Sequence, residues 1–180
     1  MILFKDKKVA FALPPRTGST TAKEFLFKSK NCVQLPNRHE PPKIFIKKYP
    51  TLADYKIYSF LRNPLERFVS GVHFVNKDTN LDMSCDEFID NKFAKLSSFI
   101  VFKKQAEWFE GVNVEALNFD NYETELRRVT DGLGLDAHSI EWLNKSEGDP
   151  LEITDKVRNF VREYYAADYA LAKERLGKEY

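Results

Sequence analysis

The sequence predicts an α/β fold in three layers, with a mainly parallel sheet flanked by helices. Two observations support this class. Short apolar segments rich in β-branched and aromatic residues alternate along the chain with longer segments of helical character. At two places an apolar segment runs into a proline-containing turn and then a helical stretch. No repeat and no Gly- or Ser-rich linker divides the chain, so residues 1–180 are expected to form a single domain.

Four segments are predicted as strands. Residues 8–13 (KVAFAL) are short and apolar and are stopped by two prolines, which suits a buried strand. Residues 55–61 (YKIYSFL) are rich in residues that favour sheets and form the second strong candidate. Shorter segments at 32–35 and 114–119 complete the predicted sheet.

Helices are predicted between these strands and after them. Residues 20–28 place apolar side chains on one face, and residues 64–75 begin with proline in the first turn. A helix over 121–133 has Gly134 as its stop, and Thr154 caps one long final helix that runs to residue 176. Further helical segments are predicted at 43–49 and, in two or three pieces, at 84–109.

The composition excludes several classes of protein. With 43% hydrophobic and 31% charged residues, the chain is neither disordered nor fibrous. No apolar run approaches the roughly 18–20 residues that cross a bilayer, and charges at 5–8 interrupt the N-terminal apolar stretch, so neither a transmembrane helix nor a signal peptide is expected. Cys32 and Cys85 lack metal-type spacing and are expected as reduced thiols. A cytoplasmic protein without a membrane partner is therefore expected, and the removal of an N-terminal anchor stays an open alternative.

The net charge of +1 conceals an asymmetry along the chain. Residues 1–48 contain 11 Lys or Arg against 3 Asp or Glu, whereas residues 49–180 contain 17 against 24. A basic first quarter in a nearly neutral protein favours an anionic ligand bound by that part of the chain. A solvated basic face is the alternative.

The first motif follows the predicted strand at 8–13 and leads into the helix at 20–28. Its sequence, residues 14–21, is PPRTGSTT. A loop that enters a helix N-terminus exposes unpaired backbone N–H groups at the positive end of the helix dipole, and this arrangement binds phosphate or sulfate. Gly18 lets the backbone approach an oxyanion, and Arg16 adds a planar fork of donors. Leu13 and Ser19 stand where a Walker A loop needs glycine and lysine, so ATP or GTP hydrolysis is disfavoured, while an ordinary capped helix start remains open.

The second motif follows the strand at 55–61. Its sequence, residues 62–71, is RNPLERFVSG. Arg62 leaves the strand end and Ser70 lies two turns into the next helix, so both can converge on one anionic group at the carboxyl edge of the sheet. The alternative is that Arg62 pairs with Glu66 or with an aspartate, and that Ser70 is a small packing residue.

Together the two motifs resemble those of the sulfotransferases that use 3′-phosphoadenosine 5′-phosphosulfate (PAPS). In that family the first loop has the form PKxGTT or PRxGST, and the second has the form RNPxxRxxSxY. Arg16 matches the Lys/Arg of the first loop, and Arg62 and Ser70 match the Arg and Ser of the second at the right spacing. Val72 replaces the aromatic residue of the second motif, and Asn118 replaces an arginine of a later segment. The resemblance covers nearly the whole chain and implies a P-loop NTPase-like sulfotransferase fold.

The resemblance also implies roles for individual residues. Arg16 would stabilise the bridging oxygen and the 5′-phosphosulfate, and Arg62 with Ser70 would bind the 3′-phosphate. Lys145 is a further nucleotide-contact candidate, and His39 is the candidate general base, with Glu40 as the alternative. The backbone N–H groups that would complete the cradle belong to Thr17, Gly18, Ser19, Thr20 and Thr21.

The implied reaction moves a sulfuryl group from PAPS, the co-substrate, to an acceptor hydroxyl. The carbohydrate branch of the family is the nearest in its motifs, so a carbohydrate acceptor is expected. No metal and no nucleic-acid partner is expected. Two other functions remain open: a P-loop-like nucleotide kinase or hydrolase, and a domain that binds a nucleotide or polyanion without catalysis.

Overall fold

The computed structural model describes residues 1–135, 138–143 and 151–180. The chain divides into two compact units. The sheet unit consists of Met1–Leu61 and Gln105–Asn144, and the helical unit consists of Arg62–Lys104 and Lys145–Tyr180. The predicted strands all belong to the sheet unit.

The sheet has five strands in the order β3-β1-β2-β4-β5. They are β1 Ile2–Phe4, β2 Val9–Ala12, β3 Cys32–Gln34, β4 Lys56–Leu61 and β5 Val114–Asn118. β2, β4 and β5 run parallel, whereas β1 is antiparallel to both β2 and β3. The sheet is therefore mixed, and the prediction of a mainly parallel sheet needs correction.

The N-terminal hairpin accounts for the difference. The charged residues that interrupt the apolar N-terminal stretch form a 3-10 turn, Lys5–Lys7, which Lys8 closes in the left-handed region at φ 50°. The turn reverses the chain, so Ile2 pairs with Phe11 across an antiparallel ladder. Residues 2–4 are a strand that the sequence did not predict.

The parallel part of the sheet determines where the first motif leaves the fold. Ala12 pairs with Ser59, and Ser59 pairs with Ala116, so β2, β4 and β5 are in register near their carboxyl ends. In open α/β sheets ligands bind at this edge. The loop that follows β2 begins there.

Two helices of the sheet unit cover one face of the sheet. Phe25 and Leu26 of α1, Ser19–Leu26, and Leu126 of α6, Tyr122–Thr130, share a buried cluster with sheet residues that include Phe11 and Phe60. The remaining elements of this unit are α2 Pro42–Lys48 and the 3-10 turns Pro50–Asp54, Gln105–Trp108 and Phe119–Asn121. α6 ends at Thr130, earlier than predicted, and Gly132 and Gly134 both lie in the turn beyond it at positive φ.

The helical unit contains the other helices. They are α3 Pro64–Thr79, α4 Cys85–Phe88, α5 Ala94–Leu96, α7 Asp155–Tyr164 and α8 Ala166–Leu176, with a π-helical turn at Ile89–Phe93. The helix predicted over 154–176 is interrupted at Tyr165, whose hydroxyl donates to Phe102 O at 2.8 Å. Arg67 is buried and donates to Val101 O and Lys103 O, so it ties α3 to the segment 101–103.

Two further findings concern the described residues. None of their helices is both long and apolar enough to cross a bilayer. Cys32 and Cys85 are both free thiols, and burial raises the pKa of Cys85 to about 11.

Candidate phosphate-binding site

The loop between β2 and α1 contains two residues in the left-handed backbone region. Arg16 has φ 65° and Gly18 has φ 70°, on either side of the buried Thr17. Glycine adopts this region readily, but a residue with a side chain is strained there by roughly 1–2 kcal/mol. Strained backbone of this kind occurs at ligand-binding positions more often than elsewhere. The strain at Arg16 therefore favours a functional role for its side chain.

The N-terminus of α1 has no side-chain cap. Gly18 is the N-cap residue, and the first bond of the helix runs from Ala22 N–H to Gly18 O at 2.9 Å. The N–H groups of Ser19, Thr20 and Thr21 precede that bond and have no partner within the helix. By contrast, Asn63 caps α3 and Thr154 caps α7 with side-chain oxygens. The N-terminus of α1 thus combines a positive dipole end with N–H donors, which suits an oxyanion.

Two of the loop's hydroxyl groups already have partners in the protein. The Thr17 hydroxyl donates to Pro14 O at 2.7 Å and so braces the loop internally. The Thr21 hydroxyl contacts both backbone groups of Leu143, donating to its carbonyl at 3.4 Å and accepting from its N–H at 3.0 Å. These hydroxyls therefore hold the loop in shape, and the hydroxyls of Ser19 and Thr20 are the better candidates for ligand contact.

Tyr122 fixes Gly18 from the sheet side of the loop. The Tyr122 hydroxyl donates to Gly18 O at 2.7 Å, and burial raises its pKa, so it stays a donor. Its ring stacks on Phe60 at 4.2 Å between centroids and contacts Trp142 at 4.6 Å. A Cβ on Gly18 would lie 2.5 Å from Cε2 of Tyr122. Only glycine fits this position, for steric as well as conformational reasons.

The indole ring of Trp142 is an exposed aromatic surface beside this loop. It contacts Tyr122 and Phe119, yet 42% of its surface is exposed. The next residue, Leu143, is the partner of Thr21. An exposed indole held next to a phosphate-type loop can stack on a base or on the apolar face of a sugar. The sequence offers Trp142, with Phe74 and Trp108, as one of three aromatic residues that could line an acceptor or adenine pocket.

His39 comes from a later segment of the chain and contacts the start of the same loop at Leu13. Its Nδ1 is 2.6 Å from Leu13 O, which can only accept, so Nδ1 carries the proton and Nε2 is the acceptor. Nε2 accepts from Nε of Arg38 at 3.0 Å. Burial lowers the pKa of His39, the bond to Leu13 opposes this, and the charge of Arg38 lowers it further. The imidazole is thus neutral at pH 7, as a general base must be.

Glu40, the alternative base, is held within its own turn. Its carboxylate accepts from Nδ2 of Asn37 at 3.1 Å, and its N–H donates to Asn37 O. His39 contacts Leu13 O at the start of the loop, so it is the better-placed of the two groups.

The residues of the second motif belong to the helical unit. Arg62 directly follows β4 in the chain and its Nε donates to Oε2 of Glu66 at 3.4 Å, in a pair four residues apart. Ser70 lies within α3 and is 5% exposed. Lys145 lies outside the described residues. The assignment of Arg62, Ser70 and Lys145 to a nucleotide remains a prediction.

In the part of the chain that the structure describes, no group of three or more His, Cys, Asp or Glu side chains is arranged as metal ligands would be.

Comparison with known proteins shows that the fold of this chain is similar to that of a solved structure. A crystal structure of a sulfotransferase from Alicyclobacillus acidocaldarius matches with a TM-score of 0.57 and 12% sequence identity, over 95% of this chain and 96% of that chain. No protein-family profile matches the sequence, and no curated protein matches it. The chain therefore has an α/β fold with a mixed sheet and flanking helices, similar to that of a solved sulfotransferase.

Proposed function

We propose that the protein is a sulfotransferase that moves the sulfuryl group of PAPS to an acceptor hydroxyl. The observation that carries the proposal is the loop after β2, where an uncapped helix N-terminus follows a strained arginine and a left-handed glycine. The likeness in fold to a solved sulfotransferase agrees with it. The motifs at 14–21 and 62–71 point to the same donor.

In this proposal the loop binds the 5′-phosphosulfate. The N–H groups of Ser19, Thr20 and Thr21 and the guanidinium of Arg16 contribute positive charge where negative charge develops on the leaving phosphate. Preorganised donors of this kind contribute most of the rate in related group transfers, and loss of one reduces the rate by about 10²–10³-fold. Arg62 and Ser70 bind the 3′-phosphate.

The transfer breaks the S–O bond to the phosphate and forms a new S–O bond to the acceptor oxygen. The acceptor loses its hydroxyl proton, which His39 Nε2 takes. Because Leu13 O holds the proton on Nδ1, Nε2 has the lone pair that this step needs. Arg38 donates a hydrogen bond to that lone pair, so this bond must break before the acceptor can bind there. The acceptor is a carbohydrate by resemblance, and the exposed ring of Trp142 suits the apolar face of a sugar.

The bond from Arg38 also favours a second candidate function. If Arg38 stays on Nε2, His39 cannot accept a proton and the domain binds a nucleotide without catalysis. The two functions share the loop and differ only in turnover.

Isothermal titration calorimetry with 3′-phosphoadenosine 5′-phosphate, run beside ATP with magnesium, tests the proposal first. Micromolar binding of the former alone is expected, and it should be lost in Arg16→Ala but kept in Lys30→Ala, a change at an exposed cation outside the loop. Transfer of labelled sulfate from PAPS to a set of saccharides then separates the enzyme from the binding domain. Preference for magnesium ATP would overturn the proposal in favour of a kinase.

A further inference from the structure

A small cleft in the helical unit carries positive charge with no assigned role. Its volume is about 150 Å³, below the roughly 300–1,000 Å³ of pockets that enclose a whole drug-sized ligand, so it fits one functional group. Its lining residues are Asn63, Leu65, Arg158, Arg162, Tyr169 and Tyr180. The set includes two arginines and no Asp or Glu, and neither Arg62 nor Ser70 belongs to it.

The two arginines differ from others on the protein surface. Arg127, Arg128 and Arg175 each pair with a glutamate. Among the described residues, no Asp or Glu side chain forms an ion pair with Arg158 or Arg162. They stand four residues apart on α7, where like charges repel each other. An anion between them would relieve the repulsion and accept their planar forks of donors.

Tyr169 adds a neutral donor to the same cleft. Burial raises the pKa of Tyr169. The charge of Asp168 also raises it, whereas the charges of Arg162 and Arg158 lower it, and the net shift is upward, so the hydroxyl stays protonated at neutral pH. Asp168 is buried and is not among the lining residues. At Asn63 the helix cap uses only the amide oxygen, accepting from Leu65 N and Glu66 N. Tyr180 apart, the polar side chains that line the cleft are therefore mainly donors.

We propose that this cleft binds an oxyanion group, such as a sulfate, phosphate or carboxylate, and that it does so independently of the nucleotide. The group is either a free ion or a charged substituent of a saccharide. Arg158 and Arg162 bind its oxygens, and Tyr169 donates a further hydrogen bond. This proposal does not rest on the sulfotransferase assignment, because it concerns only residues of the cleft.

The test observes the arginine side chains directly. The Nε–H signals of the protein are followed by two-dimensional NMR during titration with sodium sulfate, and with sodium chloride at equal ionic strength. Saturable shifts are expected at two signals, identified as Arg158 and Arg162 by their absence in R158Q and R162Q. Each substitution should weaken sulfate binding about tenfold, as loss of a charge-assisted hydrogen bond would. Arg175→Gln, which removes an exposed arginine outside the cleft, should leave it unchanged.

Two probes separate the sources of the group, and two results would overturn the proposal. A charged saccharide substituent is indicated if N-acetylglucosamine 6-sulfate binds more tightly than sulfate and N-acetylglucosamine does not bind. The free ion is indicated if sulfate and N-acetylglucosamine 6-sulfate bind with equal affinity. Equal shifts at every exposed arginine in sulfate and chloride would mean charge screening only and would refute a site. Weaker binding of 3′-phosphoadenosine 5′-phosphate by R158Q and R162Q would refute its independence and make the cleft part of the nucleotide site.

Discussion

Replacing Gly18 with alanine should destabilise the protein more than the same change at Gly132. Both glycines lie in the left-handed region, at φ 70° and 69°. A Cβ at Gly132 would meet nothing within 4 Å, whereas a Cβ at Gly18 would lie 2.5 Å from the Tyr122 ring. Gly132→Ala therefore measures the backbone strain alone, and the difference between the two variants measures the contact with Tyr122.

The structure allows the size of that difference to be worked out. Left-handed backbone strain of roughly 1–2 kcal/mol, and the loss of unfolded-state freedom, apply equally to both variants. The Tyr122 ring is 2% exposed, stacks on Phe60 and donates to Gly18 O, so it cannot move aside. Overpacking of such a site costs about 1–3 kcal/mol, which corresponds to roughly 2–12 °C in Tm for a protein of this size.

Thermal and urea unfolding of the two variants is the assay, and a Tyr122→Leu background is the control. In that background the extra loss at Gly18 should shrink, because the ring that the Cβ meets is gone. Affinity for 3′-phosphoadenosine 5′-phosphate should fall in Gly18→Ala and stay unchanged in Gly132→Ala. Equal destabilisation by the two changes would refute the steric argument for Gly18.

Three other predictions concern the candidate site. Arg16→Ala and Arg16→Gly should lower sulfuryl-transfer rate by about 10²–10³-fold, and Arg16→Gly should be the more stable of the two in thermal unfolding; wild-type turnover in either would exclude the arginine from the reaction. Because the neutral imidazole is the base and burial lowers the pKa of His39, the acid limb of the pH–rate profile should lie below the range of an ordinary imidazole, and His39→Gln should abolish this acid limb without changing nucleotide affinity. Arg62→Ala should weaken binding of the 3′-phosphorylated nucleotide but not of adenosine 5′-phosphate in calorimetry, and an equal loss for both would contradict a contact with the 3′-phosphate.

The sequence predicted most elements whose signal is local. Apolar segments located four of the five strands, and Pro64 in the first turn of α3 and the cap Thr154 of α7 located the starts of these two helices. β1 was missed because three residues are too few to show a period and the charges after them seemed to interrupt an apolar stretch. The break at Tyr165 was missed because the helical pattern continues through it. At this residue the buried hydroxyl donates to Phe102, 63 residues away, a contact that the local sequence does not reveal.

The same distinction applies to the candidate site. Gly18 and the run of Ser and Thr residues indicated an oxyanion loop before a helix, and the structure has a helix N-terminus without a side-chain cap at this position. The sequence could not show that the Thr21 hydroxyl contacts Leu143, because the two residues are 122 positions apart. Nor could it show that Tyr122 holds Gly18, which is 104 positions away. Identical hydroxyl groups in one motif therefore have different roles, which depend on partners from distant parts of the chain.

Arg16 gives the clearest physical reason to regard the loop as functional. A loop that only connected β2 to α1 would be more stable with glycine at this position, because φ 65° strains any residue with a side chain. The residue present is instead the amino acid best suited to bind an oxyanion through a planar fork of donors. The comparison of Arg16→Gly with Arg16→Ala separates the two contributions, since both lose the guanidinium and only glycine relieves the backbone. A gain in stability together with a loss of nucleotide binding would show that the strain is maintained for the side chain's contact with the ligand.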